Sequence, residues 1–318
     1  MTRLRVRIFS SALLLAFAGC TVVPAAEQGA TTSGEVVQAI PAAVPAPVPT
    51  PAPASTNAPM PQPPRATFAY SGELEQGGWI RGRAPSDTVS ARLDDTALIL
   101  DENGYFFAAF DRDAGTDAAL VATLTDGRTV RSPLTVRPRA WNLERINAPL
   151  RPGGASSEAF MARRKPELDR IWAAREKVTE AQGWRQDFIW PVKGRISGRF
   201  GSQRIYQGEP GSFHTGLDIA PGAGTPYVAP ADGVVVLAAH DDFSLEGKLL
   251  IIDHGQGLNS AFLHSQRLDV REGDRVRQGQ QLGLVGASGR VTGPHLHWSI
   301  KWHNGPRLDP LLFLPPAP

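Results

Sequence analysis

Two short motifs, Phe213-His214-Thr215-Gly216-Leu217-Asp218 and Pro294-His295-Leu296-His297-Trp298, stand far apart in the chain. Any fold that uses their chemistry has to bring them together. His214 and Asp218 are four positions apart, a spacing that keeps both on one face of a helix or a strand. Gly216 and the following Ile219-Ala220-Pro221 favour the extended form. His295 and His297 are two apart, so on a strand both imidazoles leave the same face of the sheet. Imidazoles and a carboxylate can therefore converge, and these donors suit Zn²⁺. Three protein ligands with an open fourth position is the catalytic arrangement, whereas structural zinc is usually closed by four ligands rich in Cys. With Cys20 as the single Cys of 318 residues, the chain has little from which to build a structural site.

Residues 188–318 surround these motifs with glycine and short apolar runs. Gly233-Val234-Val235-Val236-Leu237, Leu249-Leu250-Ile251-Ile252, Ser260-Ala261-Phe262-Leu263 and Gln281-Leu282-Gly283-Leu284-Val285 follow one another with little helix between them. That pattern predicts a mainly antiparallel sheet. Residues 286–293 read as a loop just ahead of His295. With a second loop at 201–212, it is expected to border the metal. Tyr206 on that second loop is either a donor to a developing oxyanion or an ordinary surface tyrosine. Of the other histidines, His254 is expected to cap a turn, and His240 and His303 to be solvated.

The run His214-Thr215-Gly216-Leu217-Asp218-Ile219-Ala220, then Gly224-Thr225-Pro226, then Gly293-Pro294-His295-Leu296-His297, resembles the lysostaphin/LytM-type zinc endopeptidases of bacterial cell walls. Ala261-Phe262-Leu263-His264 supplies a further histidine between the motifs. The resemblance covers roughly residues 190–310. It implies that His214, Asp218 and His297 bind Zn²⁺ and that His264 and His295 flank the attacking water. One of these two histidines would take the water's proton and the other assist the oxyanion or the leaving amine, an assignment the sequence leaves open. It implies peptidoglycan as the substrate, cut at peptide cross-links or bridges. It also admits a non-catalytic alternative, an activator or binding module for other wall hydrolases, against which the intact ligand set counts.

The rest of the chain divides by composition. Residues 1–19 have an Arg-studded start and an apolar run too short to cross about 30 Å of hydrocarbon, and so read as an export signal. Phe17-Ala18-Gly19-Cys20 resembles a bacterial lipobox, which implies a lipid on Cys20 and a periplasm-facing, membrane-anchored protein, at the outer membrane if the host has two. Ordinary cleavage after Ala18 is the alternative. Without Arg3, Arg5 and Arg7 the 33 basic residues fall to 30 against 31 acidic ones, so net charge argues for no nucleic-acid partner. Oligomeric state is not legible.

Residues 20–66 are a Pro/Ala-rich linker unable to build a core. As polyproline II, positions 41–64 would span roughly 75 Å. Residues 67–140 alternate in short runs, including Trp79-Ile80-Arg81, Ala97-Leu98-Ile99-Leu100 and Tyr105-Phe106-Phe107-Ala108-Ala109-Phe110, with turn dipeptides at Asn103-Gly104 and Asp126-Gly127. They predict a small immunoglobulin-like β-sandwich. Residues 141–187 predict a helical connector, begun or kinked at Pro166 and ended near Gly183. Its apolar stripe of Leu168, Ile171, Trp172 and Val178 is expected to pack on the zinc peptidase domain, with its charges solvated. The whole is therefore expected to be mainly β and multidomain. The piece from about residue 141 onward is expected to fold and hold zinc without the sandwich.

Overall fold

The structure is a computed structural model and describes residues 65–150 and 157–316. The export segment, Cys20 and nearly all of the Pro/Ala-rich linker lie outside the described residues. The described part is mainly β, with antiparallel sheets, as the alternation predicts. Among the described residues no helix is long and apolar enough to cross a membrane.

The first seven strands are β1 (Ala69–Gly72), β2 (Trp79–Arg83), β3 (Thr88–Leu93), β4 (Thr96–Ala97), β5 (Tyr105–Ala109), β6 (Asp117–Leu124) and β7 (Thr129–Thr135). They form two sheets, β1-β2-β5 and β4-β3-β6-β7, with all neighbours antiparallel. The turn dipeptides close as expected, Gly104 N–H donating to Asp101 O and Gly127 N–H to Leu124 O. The run at 97–100 is not a full strand. Only Thr96–Ala97 pairs with β3, and Leu98 turns into the core. β5 is apolar on both faces for a physical reason. Phe106 meets Phe68 edge-on at 5.9 Å inside the sandwich, while Phe107 faces Trp302 at 6.4 Å on the next layer.

The connector departs from the expected helical segment. It opens with a strand, β8 (Leu143–Ile146), and then forms α1 (Glu158–Glu176). The helix begins at an N-cap, Ser157, whose hydroxyl accepts from Phe160 N–H at 3.2 Å. Pro166 therefore lies inside it, neither starting nor ending it. The buried face matches the predicted stripe only in part: Ile171 packs on the sheet, but Trp172 and Val178 are exposed, whereas Arg164, Glu167 and Ala174 are buried. Burial of Arg164 is tolerable because both its terminal nitrogens reach Glu246 at 2.6 Å, and one reaches Glu167 at 3.0 Å. Gly183 opens a separate 3-10 turn, Gly183–Arg185.

The remaining strands are β9 (Arg195–Gly198), β10 (Gln203–Tyr206), β11 (Glu209–Phe213), β12 (Leu217–Ala220), β13 (Pro226–Val228), β14 (Gly233–Phe243), β15 (Gly247–Asp253), β16 (Leu258–Ser265), β17 (Arg267–Leu268), β18 (Arg275–Val276), β19 (Gln281–Leu284), β20 (Leu296–Trp302) and β21 (Arg307–Leu308). The large sheet runs β18-β14-β15-β16-β20-β12-β9, with β21 added to β20. On one face Phe262, Trp298 and Ile300 are fully buried, and Phe262 stacks on Tyr227 of the small sheet β13-β19-β17 at 5.5 Å. The opposite face carries Leu249, Ile251, Ala261 and Leu263 under Ile171 and Ala174 of α1. His297 belongs to this second face, because alternation along β20 gives Leu296, Trp298 and Ile300 to the core.

Candidate metal centre

β12 and β20 are antiparallel neighbours whose register sets Asp218 directly opposite His297. Residues paired in this way project their side chains to the same face, a few ångströms apart. Asp218 Oδ1 lies 2.8 Å from His297 Nδ1. The loop ahead of β12 returns His214 to the same point, with its Nε2 3.1 Å from Asp218 Oδ1 and 3.2 Å from His297 Nδ1. Two glycines make this close approach possible. A Cβ at Gly198 would collide with Asp218 Oδ2, and one at Gly216 with Trp298 O and His297 Nε2. Gly216 stands inside a motif, but Gly198 was not legible, since nothing around it marks the Asp218 contact.

These three residues form the group able to hold a metal among the described residues. His214 Nδ1–H donates to Arg199 O at 3.1 Å, which leaves the Nε2 lone pair of the neutral ring aimed at the other two donors. Three electron-rich atoms facing one another across about 3 Å require a cation at their centre, either a proton or a metal ion. Two imidazoles and a carboxylate are a donor set that fits Zn²⁺. The electrostatics agree. Burial disfavours the Asp218 carboxylate, but His214 and His297 overrule it and hold its pKa well below the usual range. Burial likewise disfavours the charged form of His214, yet Asp218 raises its pKa. For His297 burial wins, and its pKa is lowered.

His295 and His264 stand beside this group, each fixed by a backbone carbonyl. His295 Nδ1–H donates to Gly293 O at 2.9 Å, and its Nε2 lies 3.6 Å from Asp218 Oδ1. His264 Nδ1–H donates to Ser288 O at 2.9 Å. The rings of His264 and His295 are 5.1 Å apart, and those of His264 and His297 6.2 Å. In an unbroken β16, Leu263 pairs with His297 and shares its face, which would send His264 to the other side. A left-handed backbone at His264, φ 67°, breaks the alternation and turns the ring towards the centre. Burial, opposed by the Ser288 carbonyl and aided by His297 and His295, pushes the His264 pKa down to about 4.

The other histidines separate cleanly. His254 is wholly buried, its Nδ1–H donating to Asp232 O at 2.8 Å and its Nε2 2.8 Å from Ser260 Oγ. His240 is exposed, as expected, whereas His303 is half-buried against Trp302 with ring centres 5.1 Å apart. Tyr206 lines a cavity of about 860 Å³ together with His214, Asp218, Ser197 and Phe213. Residues 201–212, expected as a loop, instead fold mostly into the antiparallel pair β10–β11, which contributes Ser202 and Tyr206 to the surroundings, while the loop at 286–293 contributes Ser288 and Gly293.

Comparison with known proteins covers the residues of this group. The profile of Peptidase family M23 matches residues 212–310. Over 114 residues the chain is 38% identical to the peptidoglycan DD-endopeptidase ShyA of Vibrio cholerae, covering 35% of this chain and 26% of ShyA. Over 135 residues it is 38% identical to the lipoprotein NlpD/LppB homolog of Pseudomonas aeruginosa, covering 42% of this chain and 40% of that one. The chain thus spans well under half the length of these curated relatives. A Pseudomonas aeruginosa crystal structure assigned to peptidase M23 aligns with a TM-score of 0.58 at 26% identity, covering 76% of this chain and 95% of that one. This alignment reaches well beyond the family-matched residues into the preceding strands. The chain carries a domain of peptidase family M23.

Proposed function

We propose that this protein is a zinc-dependent endopeptidase that hydrolyses peptide cross-links or bridges of bacterial peptidoglycan. The observation that supports it most is the convergence of His214, Asp218 and His297 within 3.2 Å of one another, with two further histidines beside them. His214, Asp218 and His297 would hold the ion. Bound Zn²⁺ supplies Lewis-acid polarisation of a carbonyl and acidifies water. The chain's own groups do the rest. Asp218 stays ionised and keeps both ligand rings in place. His264, kept neutral by burial and oriented by Ser288 O, presents a free Nε2. His295, oriented by Gly293 O, presents another, so one can take a proton from water while the other, when it carries a proton on Nε2, donates to the oxyanion or the leaving amine.

Purified peptidoglycan incubated with the protein should release cleaved peptides, identified by mass spectrometry, and a chelator should stop the release. Zinc-loaded protein that cuts nothing yet changes the activity of a separate wall hydrolase would replace the enzyme reading with an activator. Export and lipid anchoring at Cys20 form part of the same proposal, and the name of the Pseudomonas lipoprotein relative is in keeping with them. Cys20→Ser is expected to abolish lipid labelling and release the protein from the membrane fraction. A parent without lipid, whose mature N-terminus is Gly19, would favour ordinary cleavage.

A further inference from the structure

A second cavity, of about 250 Å³, opens on the same sheet face between β20 and α1, with His297 and Thr215 on its rim. It adjoins the cavity lined by His214 and Asp218 through Thr215 and His297, next to those residues. Its lining is heavily cationic, with Arg164, Arg175, Lys301 and Arg307 against one carboxylate, Glu246. That carboxylate is already engaged by both terminal nitrogens of Arg164. The other three cations form no ion pair among the described residues. Arg175 donates to the neutral Asn259 Oδ1 at 3.2 Å, and Lys301 Nζ to Asn304 O at 3.1 Å.

The arrangement works against stability. Lys301 and Arg307 are direct cross-strand partners in the β20–β21 register, and like charges placed opposite repel. All three groups are half-buried, where repulsion is less screened. Burial, then Arg175 and Arg307, pushes the Lys301 pKa down to about 8, against a weaker opposing pull from Asp111. Burial, then Arg307, pushes Arg175 down to about 10. A fold that concentrates uncompensated cations beside a peptide-cutting centre leaves a place for an anion.

We infer that the cavity lined by Arg175, Lys301, Arg307 and Ser299 is a subsite for a free carboxylate of the peptide substrate, next to the bond held at His297. The inference rests on the peptidase reading for what the ligand is, and the anion preference itself rests on the three cations. Charged hydrogen bonds of this kind favour a carboxylate over its amide by about ten- to a hundredfold.

The probe is a set of uncross-linked muropeptides released from peptidoglycan by muramidase, used as such or with their carboxyl groups converted to amides. Titrated calorimetrically into the zinc-loaded full chain, the acid form is expected to bind ten- to a hundredfold tighter. Lys301→Gln and Arg307→Gln should each close most of that gap with zinc content unchanged, and Arg307→Lys should restore part of it. In hydrolysis of cross-linked dimers the same variants should raise KM for the acid form with little change in kcat. Lys301→Gln, which removes a repulsion, is expected to melt no lower than the parent. Equal binding of acid and amide forms by the parent overturns the subsite, as does discrimination that survives both Gln variants. Discrimination without any hydrolysis would leave the subsite standing and remove the peptidase reading.

Discussion

His295 and His297 sit two residues apart, yet their surroundings differ. His297 Nδ1 points at Asp218 Oδ1 and His214 Nε2, while His295 is turned by Gly293 O and stands off the carboxylate at 3.6 Å. His297→Ala should therefore lose bound zinc and hydrolysis together. His295→Ala should keep most of its zinc and lose about 10²–10⁴-fold in turnover, the range for general acid-base work. Metal content by atomic absorption beside peptidoglycan turnover separates the two. Parental turnover in His295→Ala would refute its role. His254 makes a different prediction. Burial pushes its pKa down to about 4, so the folded protein binds it neutral while the unfolded chain protonates it near its ordinary value. Its stabilising share is full above about pH 6.5 and is lost as pH falls through 4, on the order of 3 kcal/mol. The melting temperature should fall across that window. His254→Asn, whatever its own cost, should shrink the fall, and an unchanged slope would exclude His254 as a source.

At the scale of elements, α1 is tied to the large sheet and its turn by charge as well as by the packing of Ile171 and Ala174. Arg164 bridges Glu167 of its own helix and Glu246 at the end of the turn into β15, and Glu167 accepts from Ser244 N–H at 2.8 Å. A heptad-like stripe could not reveal this, because the sheet face under the helix is itself polar near His297, Ser299 and Lys301. Removing one partner of a buried pair leaves the other charges unbalanced. Arg164→Ala is expected to cost roughly 3 kcal/mol in denaturant unfolding, and adding Glu246→Gln should recover part of it. A change below about 0.5 kcal/mol would mean that the ion pair does not fasten the helix.

At the scale of the molecule, the described residues fall in one compact unit, and the sandwich shares its core with the peptidase part. Trp79 stacks on Phe313 at 5.0 Å and donates from Nε1 to Leu312 O at 3.1 Å. Phe107 packs on Trp302 and Phe313, and Arg139 reaches Asp309, whose side chain is 3% exposed, at 2.8 Å. This packing reverses the expectation of an independent fragment. Cutting away residues 67–140 strips cover from Trp302 and Phe313 and leaves a buried carboxylate unpaired, although Arg139 belongs to the removed piece and the metal group does not. The remainder is expected to be aggregation-prone and to lose near-ultraviolet dichroism. A soluble, monomeric fragment from about residue 141 that binds zinc at parental stoichiometry would show that the shared core is dispensable.

What the sequence determined by itself is what short-range periodicity and side-chain chemistry can specify. His295 and His297 share a face because a strand has a period of two, and β14, β15, β16, β19 and β20 follow from short apolar runs between turn residues. The donor types at His214, Asp218 and His297 were equally open to reading. Tertiary structure decided the rest, because backbone groups and register carry no residue label. The left-handed turn at His264, the carbonyls of Arg199, Ser288 and Gly293 that orient three imidazoles, and the clearance at Gly198 exist only once strands pair. The same holds for Lys301 opposite Arg307 and for the burial of Arg164: a charge reads as solvent-exposed until long-range packing supplies its neighbours.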